Sequence, residues 1–254
     1  FNTPIIALTA NALEGSEEKY LKEIMPKINI EKAIKIGEKF NVPIVTKSTF
    51  TEDEGTIEVI GTNIYDYSWI EIAATKKVTI EMNGNTIIKA RSSSVAMGIY
   101  NKGSLTIKGG GTITTMACAN NKVSRIIQNE GTLVLEDVEL INKGYNTDGA
   151  DYWQVLLTEG ANASVTIDGA TLKTVSRGIT ADDTTTNDGA RVIAVKQGKL
   201  EILSGNFIEE SDTSGYVLEH TYSGATEIRI SGGTFTSDDA GFKLGAGNGT
   251  DLDL

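Results

Sequence analysis

Apolar and polar residues alternate in six similar blocks of eleven residues along the chain. The blocks are VTIEMNGNTII (78–88), GSLTIKGGGTI (103–113), GTLVLEDVELI (131–141), ASVTIDGATLK (163–173), GKLEILSGNFI (198–208) and TEIRISGGTFT (226–236). The third and fifth residues of every block are apolar, and five blocks have another apolar residue at the tenth position. Alternation with a period of two is typical of a β-strand that turns one face inward. Each block therefore predicts two short strands separated by a corner.

Glycine residues occur at the corner inside most blocks and at the end of the strand that precedes most blocks. A corner between the two strands needs residues that tolerate positive φ, and the residues found there are Gly84, Gly109, Gly169, Gly205, Gly232, Asn83 and Asp137. A third strand precedes most blocks and ends in a glycine, at Gly103, Gly131, Gly160, Gly198 and Gly224. The blocks start 25 to 35 residues apart. This repeat predicts an all-β fold: a right-handed parallel β-helix of about six three-stranded coils over residues 51–254.

The first fifty residues have a different pattern. Residues 15–40 lose the alternation and predict two α-helices, with Ser16 and Asn29 as N-caps. The end of a solenoid exposes unpaired strand edges, so a helical cover has a physical purpose there. We therefore expect residues 1–50 to form a short α-helical cap or docking segment.

Charge and composition narrow the possible partners. The chain has 34 acidic and 23 basic residues and a net charge of −11, which disfavours nucleic acid and anionic membranes as partners. Cys118 and His220 are single residues of their types, so a disulfide framework or a zinc site is not expected. A bound metal would need oxygen ligands. No run of eighteen apolar residues exists, so no membrane span is expected.

A binding or catalytic site could lie in the variable inserts, which connect the second strand of one coil to the strand that precedes the next block. Stacked inserts would form one wall, where aromatic, acidic and amide side chains could bind glycans. The candidate residues of this edge are Tyr145, Asp148, Asp151, Tyr152, Arg177, Asp182, Asp183, Asp188 and Arg191. Three of them, Asp182, Asp183 and Asp188, could hold Ca²⁺, and no other cofactor is expected. Loop acids that only form solvated turns are the simpler alternative.

The glycine-bounded NGN and SGGTF corners resemble those of the pectate-lyase-like superfamily over about residues 56–250. This resemblance implies a β-helix used by polysaccharide lyases, glycoside hydrolases, phage tailspikes and fibres, or bacterial surface proteins. The family's strand-borne Asp pairs and its glycine-flanked His have no match here. Arg177 near Asp182 and Asp183 is the one cluster of similar character.

We therefore expect a non-enzymatic structural or adhesive rod, located in a virion or outside the cell at its surface. Its N-terminal segment, residues 1–50, is expected to contact other virion or surface proteins. A bacteriophage head fibre, decoration or tail protein is the first choice, and a bacterial cell-surface adhesin is the close alternative. A polysaccharide lyase or glycoside hydrolase is the second alternative.

A second resemblance covers only the first forty residues. TPIIALTANALEG (3–15), with Thr9, and PKINIEKAIKI (26–36), with Lys27, resemble parts of a response-regulator receiver domain. There, Thr9 matches the switch hydroxyl and Lys27 the phosphate-contacting lysine. The strand that carries the phosphorylated aspartate is absent, and half of a doubly wound sheet cannot close its core. Phosphorelay signalling is therefore not expected.

The last residues suggest an uncovered end. Phe242 and Leu244 begin another inward pattern, and the sequence then ends in GAGNGTDLDL. Unpaired strand edges promote pairing with another chain. We expect either that the natural chain continues beyond Leu254 or that the protein is a homo-oligomer. A parallel homotrimer is favoured because fibres of the resembled superfamily are often trimeric.

Overall fold

The structure of the protein is a computed structural model. It describes residues 54–59, 64–66, 70–89, 97–115, 125–143, 154–175, 190–210, 215–220, 225–237, 241–244 and 250–253. The N-terminal segment 1–50, with its predicted helices, lies outside the described residues.

The described residues form short β-strands. In chain order they are β1 (Glu54–Glu58), β2 (Ile64–Asp66), β3 (Ile70–Ile72), β4 (Lys77–Glu81), β5 (Thr86–Lys89), β6 (Met97–Asn101), β7 (Ser104–Lys108), β8 (Thr112–Thr115), β9 (Arg125–Asn129), β10 (Thr132–Glu136), β11 (Glu139–Asn142), β12 (Gln154–Thr158), β13 (Ser164–Asp168), β14 (Ala170–Val175), β15 (Arg191–Val195), β16 (Gly198–Ile202), β17 (Gly205–Glu210), β18 (Tyr216–His220), β19 (Thr226–Ile230), β20 (Thr234–Ser237), β21 (Phe242–Leu244) and β22 (Thr250–Asp253).

Every third strand pairs in parallel, which produces three sheets. Sheet 1 has the order β1-β4-β7-β10-β13-β16-β19-β22, sheet 2 has β2-β5-β8-β11-β14-β17-β20, and sheet 3 has β3-β6-β9-β12-β15-β18-β21. The predicted all-β parallel β-solenoid with three strands per turn is therefore confirmed, and the described residues contain no helix. The strands of the four consecutive turns from β7 to β18 are described with their side chains, whereas their connections 116–124, 144–153, 176–189 and 211–214 lie outside the described residues. The right-handed sense, the count of six coils and the N-terminal helices stay predictions.

Five of the six repeated blocks occupy equivalent places in the stack. Leu105 and Ile107 of β7 are buried and pair with Leu133 and Leu135 of β10, as the alternation predicts. The first block is offset: Val78, and not Ile80, pairs with Leu105. Its inward face therefore begins two residues earlier than the block alignment indicates. The buried apolar residues of all three sheets form one continuous core.

The corner between sheets 1 and 2 uses the predicted left-handed residues, except that Gly233, and not Gly232, has a positive φ, 115°. Asn83 and Asp137 have φ values of 51° and 50°, and Gly169 has 69°. Asparagine and aspartate tolerate this region better than other non-glycine residues because their short side chains can bond the local backbone.

The corner between sheets 3 and 1 is closed by stacked glycines. A Cβ atom at Gly131 would lie 2.0 Å from the Gly103 carbonyl oxygen, and one at Gly103 would lie 2.3 Å from the Ala73 and Lys76 carbonyl oxygens. Gly198 has a similar approach, 2.4 Å, to the Ala163 carbonyl oxygen. We call this edge the glycine corner. Gly103, Gly131 and Gly198 have no side chain because consecutive turns approach at backbone distance at these three positions. Lys76 and Ala163 occupy the same register row in other turns.

The interior beside the glycine corner is polar in two adjacent turns. Asn101 donates from Nδ2 to Asn129 Oδ1 at 2.7 Å and to the Thr132 carbonyl at 2.8 Å. Asn129 donates to the Gly131 and Ser164 carbonyls at 3.0 and 3.3 Å. These buried amides satisfy carbonyl groups of the turn, which would otherwise be costly to bury.

Candidate functional site

The connections from sheet 2 to sheet 3 leave the solenoid at one corner, which we call the insert corner. Four of them include residues 116–124, 144–153, 176–189 and 211–214, between β8 and β9, β11 and β12, β14 and β15, and β17 and β18. The strands on both sides of each connection are in parallel register with those of the next turn. The feet of successive connections are therefore stacked one strand spacing apart, ~4.8 Å.

Eight of the nine predicted site residues lie in these connections and outside the described residues. They are Tyr145, Asp148, Asp151, Tyr152, Arg177, Asp182, Asp183 and Asp188. The suggested calcium ligands are among them. Within the described ranges, no group of three or more His, Cys, Asp or Glu side chains could hold a metal ion. The glycan-binding edge and the Ca²⁺ site stay predictions.

The ninth residue, Arg191, is described and lies at the first position of β15. Its Nε donates to Glu219 Oε2 at 2.6 Å, and its Nη2 lies 3.5 Å from Glu219 Oε1. Both side chains are about 95% buried, and the guanidinium lies 5.1 Å from the centre of the Tyr216 ring. The arginine at the foot of the 176–189 connection is therefore oriented by an acid and an aromatic ring of the next turn.

Arg191 belongs to a row of polar residues at the start of sheet 3 strands. The row runs in register through Arg125, Gln154, Arg191 and Tyr216. Arg125 donates from Nε to Gln154 Oε1 at 2.7 Å and from Nη1 to Gln128 Oε1 at 3.0 Å. We call these four residues the foot row because they stand where the inserts rejoin the solenoid.

A second set of polar contacts links the other end of the sheet 3 strands. Gln128 donates to Glu159, and Lys196 Nζ lies 3.0 Å from Glu159 Oε2. One turn earlier, Tyr100 donates its hydroxyl to Glu130. Burial and this hydrogen bond raise the pKa of Tyr100 well above its ordinary value. Tyr100 therefore remains a neutral donor to a carboxylate at physiological pH.

The interior of the insert corner is also polar. Asn142, at the end of β11, donates from Nδ2 to the Gln154 carbonyl at 2.8 Å, which ties the two feet of the 144–153 connection together. Thr115 Oγ1 donates to Asn142 Oδ1 at 3.1 Å and accepts from the Lys143 amide at 2.7 Å. Glu209 is fully buried and accepts from Ser237 at 2.8 Å. Hydrogen bonds between turns, inside the solenoid, therefore fix the strand ends at which the inserts begin and end.

Of the foot row, Arg191 was predicted as a site residue, whereas Arg125, Gln154, Tyr216 and the contacts of the row were not. The signal was present: Arg125, Gln154 and Arg191 each begin a strand whose next residues are apolar. It was not used because a polar residue before an apolar strand normally marks only the end of a loop.

Together the fold and the insert corner define the protein as a three-sheet parallel β-solenoid that carries its variable connections on one hydrogen-bonded edge. No family model matches the chain, and no curated protein or solved structure matches it either. No helix in the described part of the chain is long and apolar enough to cross a membrane.

Proposed function

We propose that the protein is a rigid structural or adhesive rod of a bacteriophage virion, such as a head fibre, decoration or tail protein. The observation that carries this proposal is the insert corner, where connections of different length stand on feet held in register. Recognition residues are commonly placed on loops that a rigid scaffold positions. A solenoid with this arrangement suits the display of a binding edge along a rod.

The proposal includes membership of the pectate-lyase-like superfamily, with about six right-handed coils. In it, residues 1–50 dock the rod to other virion proteins, and the insert corner binds surface glycans through the predicted edge residues. The rod works as a homo-oligomer, with a parallel trimer favoured. A bacterial cell-surface adhesin would use the same features. Its location on the bacterial surface would distinguish it from a virion component.

Immunogold electron microscopy separates these two locations. Antibodies raised against residues 51–254 should label virus particles from the source of the sequence. Labelling confined to the surface of bacterial cells would instead identify an adhesin. Labelling of neither structure would contradict both assignments.

Binding through the insert corner is tested on a panel of immobilised bacterial glycans. Replacing residues 176–189 with a Gly/Ser linker of equal length should abolish glycan binding, because it removes Arg177, Asp182, Asp183 and Asp188. The matched control replaces residues 116–124, which contain none of the predicted edge residues. Equal loss in both variants, or unchanged binding in the first, would contradict a specific role for residues 176–189.

The enzyme alternative has a separate test. Incubation with a panel of acidic polysaccharides should release no unsaturated or reducing ends. Release that is abolished by Asp182→Asn or Arg177→Ala would replace the structural proposal with a lyase or hydrolase.

A further inference from the structure

An open groove of about 590 Å³ lies along the glycine corner, between sheets 3 and 1 and away from the insert corner. Its lining includes three lysines, Lys76, Lys77 and Lys102, and one acid, Glu130. The whole chain has a net charge of −11, so this excess of lysines is opposite in sign to the molecule as a whole. A local field of this kind attracts anions although the total charge repels them.

The stacked glycines explain why a groove exists there. Gly103 and Gly131 form part of its lining, and neither can carry a side chain because the neighbouring carbonyl oxygens are too close. The backbone therefore lies at the bottom of the groove, and side chains rise only from the flanking positions. The hydroxyl-bearing residues Ser104 and Thr132 flank it on the sheet 1 side, and Asn162 lies in the next turn along.

Two of the lysines have defined surroundings. Lys102 Nζ lies 3.0 Å from Glu71 Oε1 and 4.5 Å from the centre of the Tyr100 ring, which limits the positions that its ammonium group can adopt. Lys77 is exposed and makes no ion pair within the described part of the chain. The carboxylate of Glu130 accepts the Tyr100 hydroxyl and is the unfavourable charge for an anion in the groove.

We propose that this groove binds a tetrahedral oxyanion, as a phosphate or sulfate group. Lysine ammonium groups act as point charges toward such anions, and hydroxyl and amide groups supply additional donors. The groove is separate from the proposed glycan-binding edge. A negative result for oxyanion binding in the groove would therefore not contradict glycan binding at the insert corner, and the reverse also holds.

Inorganic phosphate is the first probe, in an NMR titration of the full chain at constant ionic strength. Phosphate and sulfate should cause saturable shifts of the Gly103 and Gly131 amide signals, whereas chloride should not. Lys77→Gln should weaken phosphate binding about fivefold, the factor expected for one ammonium–anion pair about 4 Å apart in water. The affinity should also fall as ionic strength rises.

Two further variants make the test specific. Glu130→Gln should strengthen phosphate binding, because it removes the like charge and keeps an acceptor for the Tyr100 hydroxyl. The matched control is Lys199→Gln. Lys199 occupies the same register row of sheet 1 as Lys77, through Ser104, Thr132 and Ser164, but is not part of the groove lining.

Each outcome then decides the proposal. Unsaturable shifts, equal shifts with chloride, or acetate binding as tight as phosphate binding would overturn it. So would a Lys199→Gln effect equal to that of Lys77→Gln. A glycerol-phosphate polymer that binds more tightly than inorganic phosphate, at equal phosphate concentration, would identify a polymer subsite, whereas equal affinity would identify a site for the isolated ion.

Discussion

Single buried polar residues decide how well adjacent turns of this solenoid fit together. Asn129 takes part in three hydrogen bonds that join three consecutive turns: it accepts from Asn101 and donates to the Gly131 and Ser164 carbonyls. The next residue in the same register row, Thr158, is buried, and its hydroxyl has no hydrogen-bond partner within the described part of the chain. Removing the polar group should therefore change the free energy of unfolding in opposite directions at the two positions.

Asn129→Ala should lower the free energy of unfolding by about 3 kcal/mol, because it removes from the interior the acceptor of an Asn101 hydrogen bond and the donor to the Gly131 and Ser164 carbonyls. Thr158→Val should raise it by about 1 kcal/mol, since it removes an unpaired hydroxyl without changing the side chain's volume. Urea unfolding followed by circular dichroism measures both changes. Shifts of the two midpoints in the same direction would contradict this account of the interior.

Removing one partner of the buried Arg191–Glu219 ion pair should lower the free energy of unfolding more than removing one partner of an exposed pair. Arg191→Met should destabilise the protein by about 3–5 kcal/mol, because it removes the guanidinium that pairs with the buried carboxylate of Glu219. The control is Glu71→Gln at the half-exposed Lys102–Glu71 pair, where a loss below about 1 kcal/mol is expected. Thermal unfolding of the two variants gives the comparison. Similar losses in both would show that burial does not determine the strength of these pairs.

At the scale of elements, the alternation predicted sheets 1 and 2 better than sheet 3. Strands such as β10 bury alternate residues, so a period of two is visible in the sequence. By contrast, β12 and β15 bury all five residues, and their sequences QVLLT and RVIAV lack the alternation. In the sequence, only the glycine that follows each of these two strands indicates the position of the strand. The contacts of the foot row were not predictable, because they join strands about thirty residues apart.

The glycine corner predicts which glycines are essential to the stacking of turns. Gly131→Ala should destabilise the protein by about 3 kcal/mol, since its Cβ cannot coexist with the Gly103 carbonyl unless the two turns separate. Gly55 in β1 is the matched control. Among the described residues, a Cβ atom there meets nothing within 4 Å, so Gly55→Ala should be neutral or stabilise by up to ~1 kcal/mol. Equal urea midpoints for the two variants would refute the close approach at Gly131.

The whole molecule has an aromatic column near its C-terminal turns. The rings of Phe207 and Phe235 are stacked with centroids 4.9 Å apart, and Phe242 lies 5.3 Å beyond Phe235. Burial decreases along the column: Phe207 is fully buried and Phe242 is 43% exposed. Exposed aromatic surface that continues a core favours contact with another chain.

A trimer therefore predicts a molar mass three times the 27.1 kDa of the chain in light scattering. Phe242→Ser should shift the population toward monomer at micromolar concentration, because it removes apolar surface from the proposed contact. Leu203→Ser, at the other large hydrophobic residue exposed in the described ranges, should leave the mass unchanged. A monomeric mass for the unsubstituted protein at all concentrations would exclude the trimer.

The insert corner also bears on how such a protein can change during evolution. An insertion or deletion within residues 176–189 begins and ends at the same corner, so it alters one connection without shifting the pairing of β14 with β17 or of β15 with β18. A one-residue change inside a strand would instead turn its buried side chains outward. Length variation among related genes should therefore accumulate in the connections from sheet 2 to sheet 3, and a lineage could acquire new binding specificity there while the stacked turns stay the same.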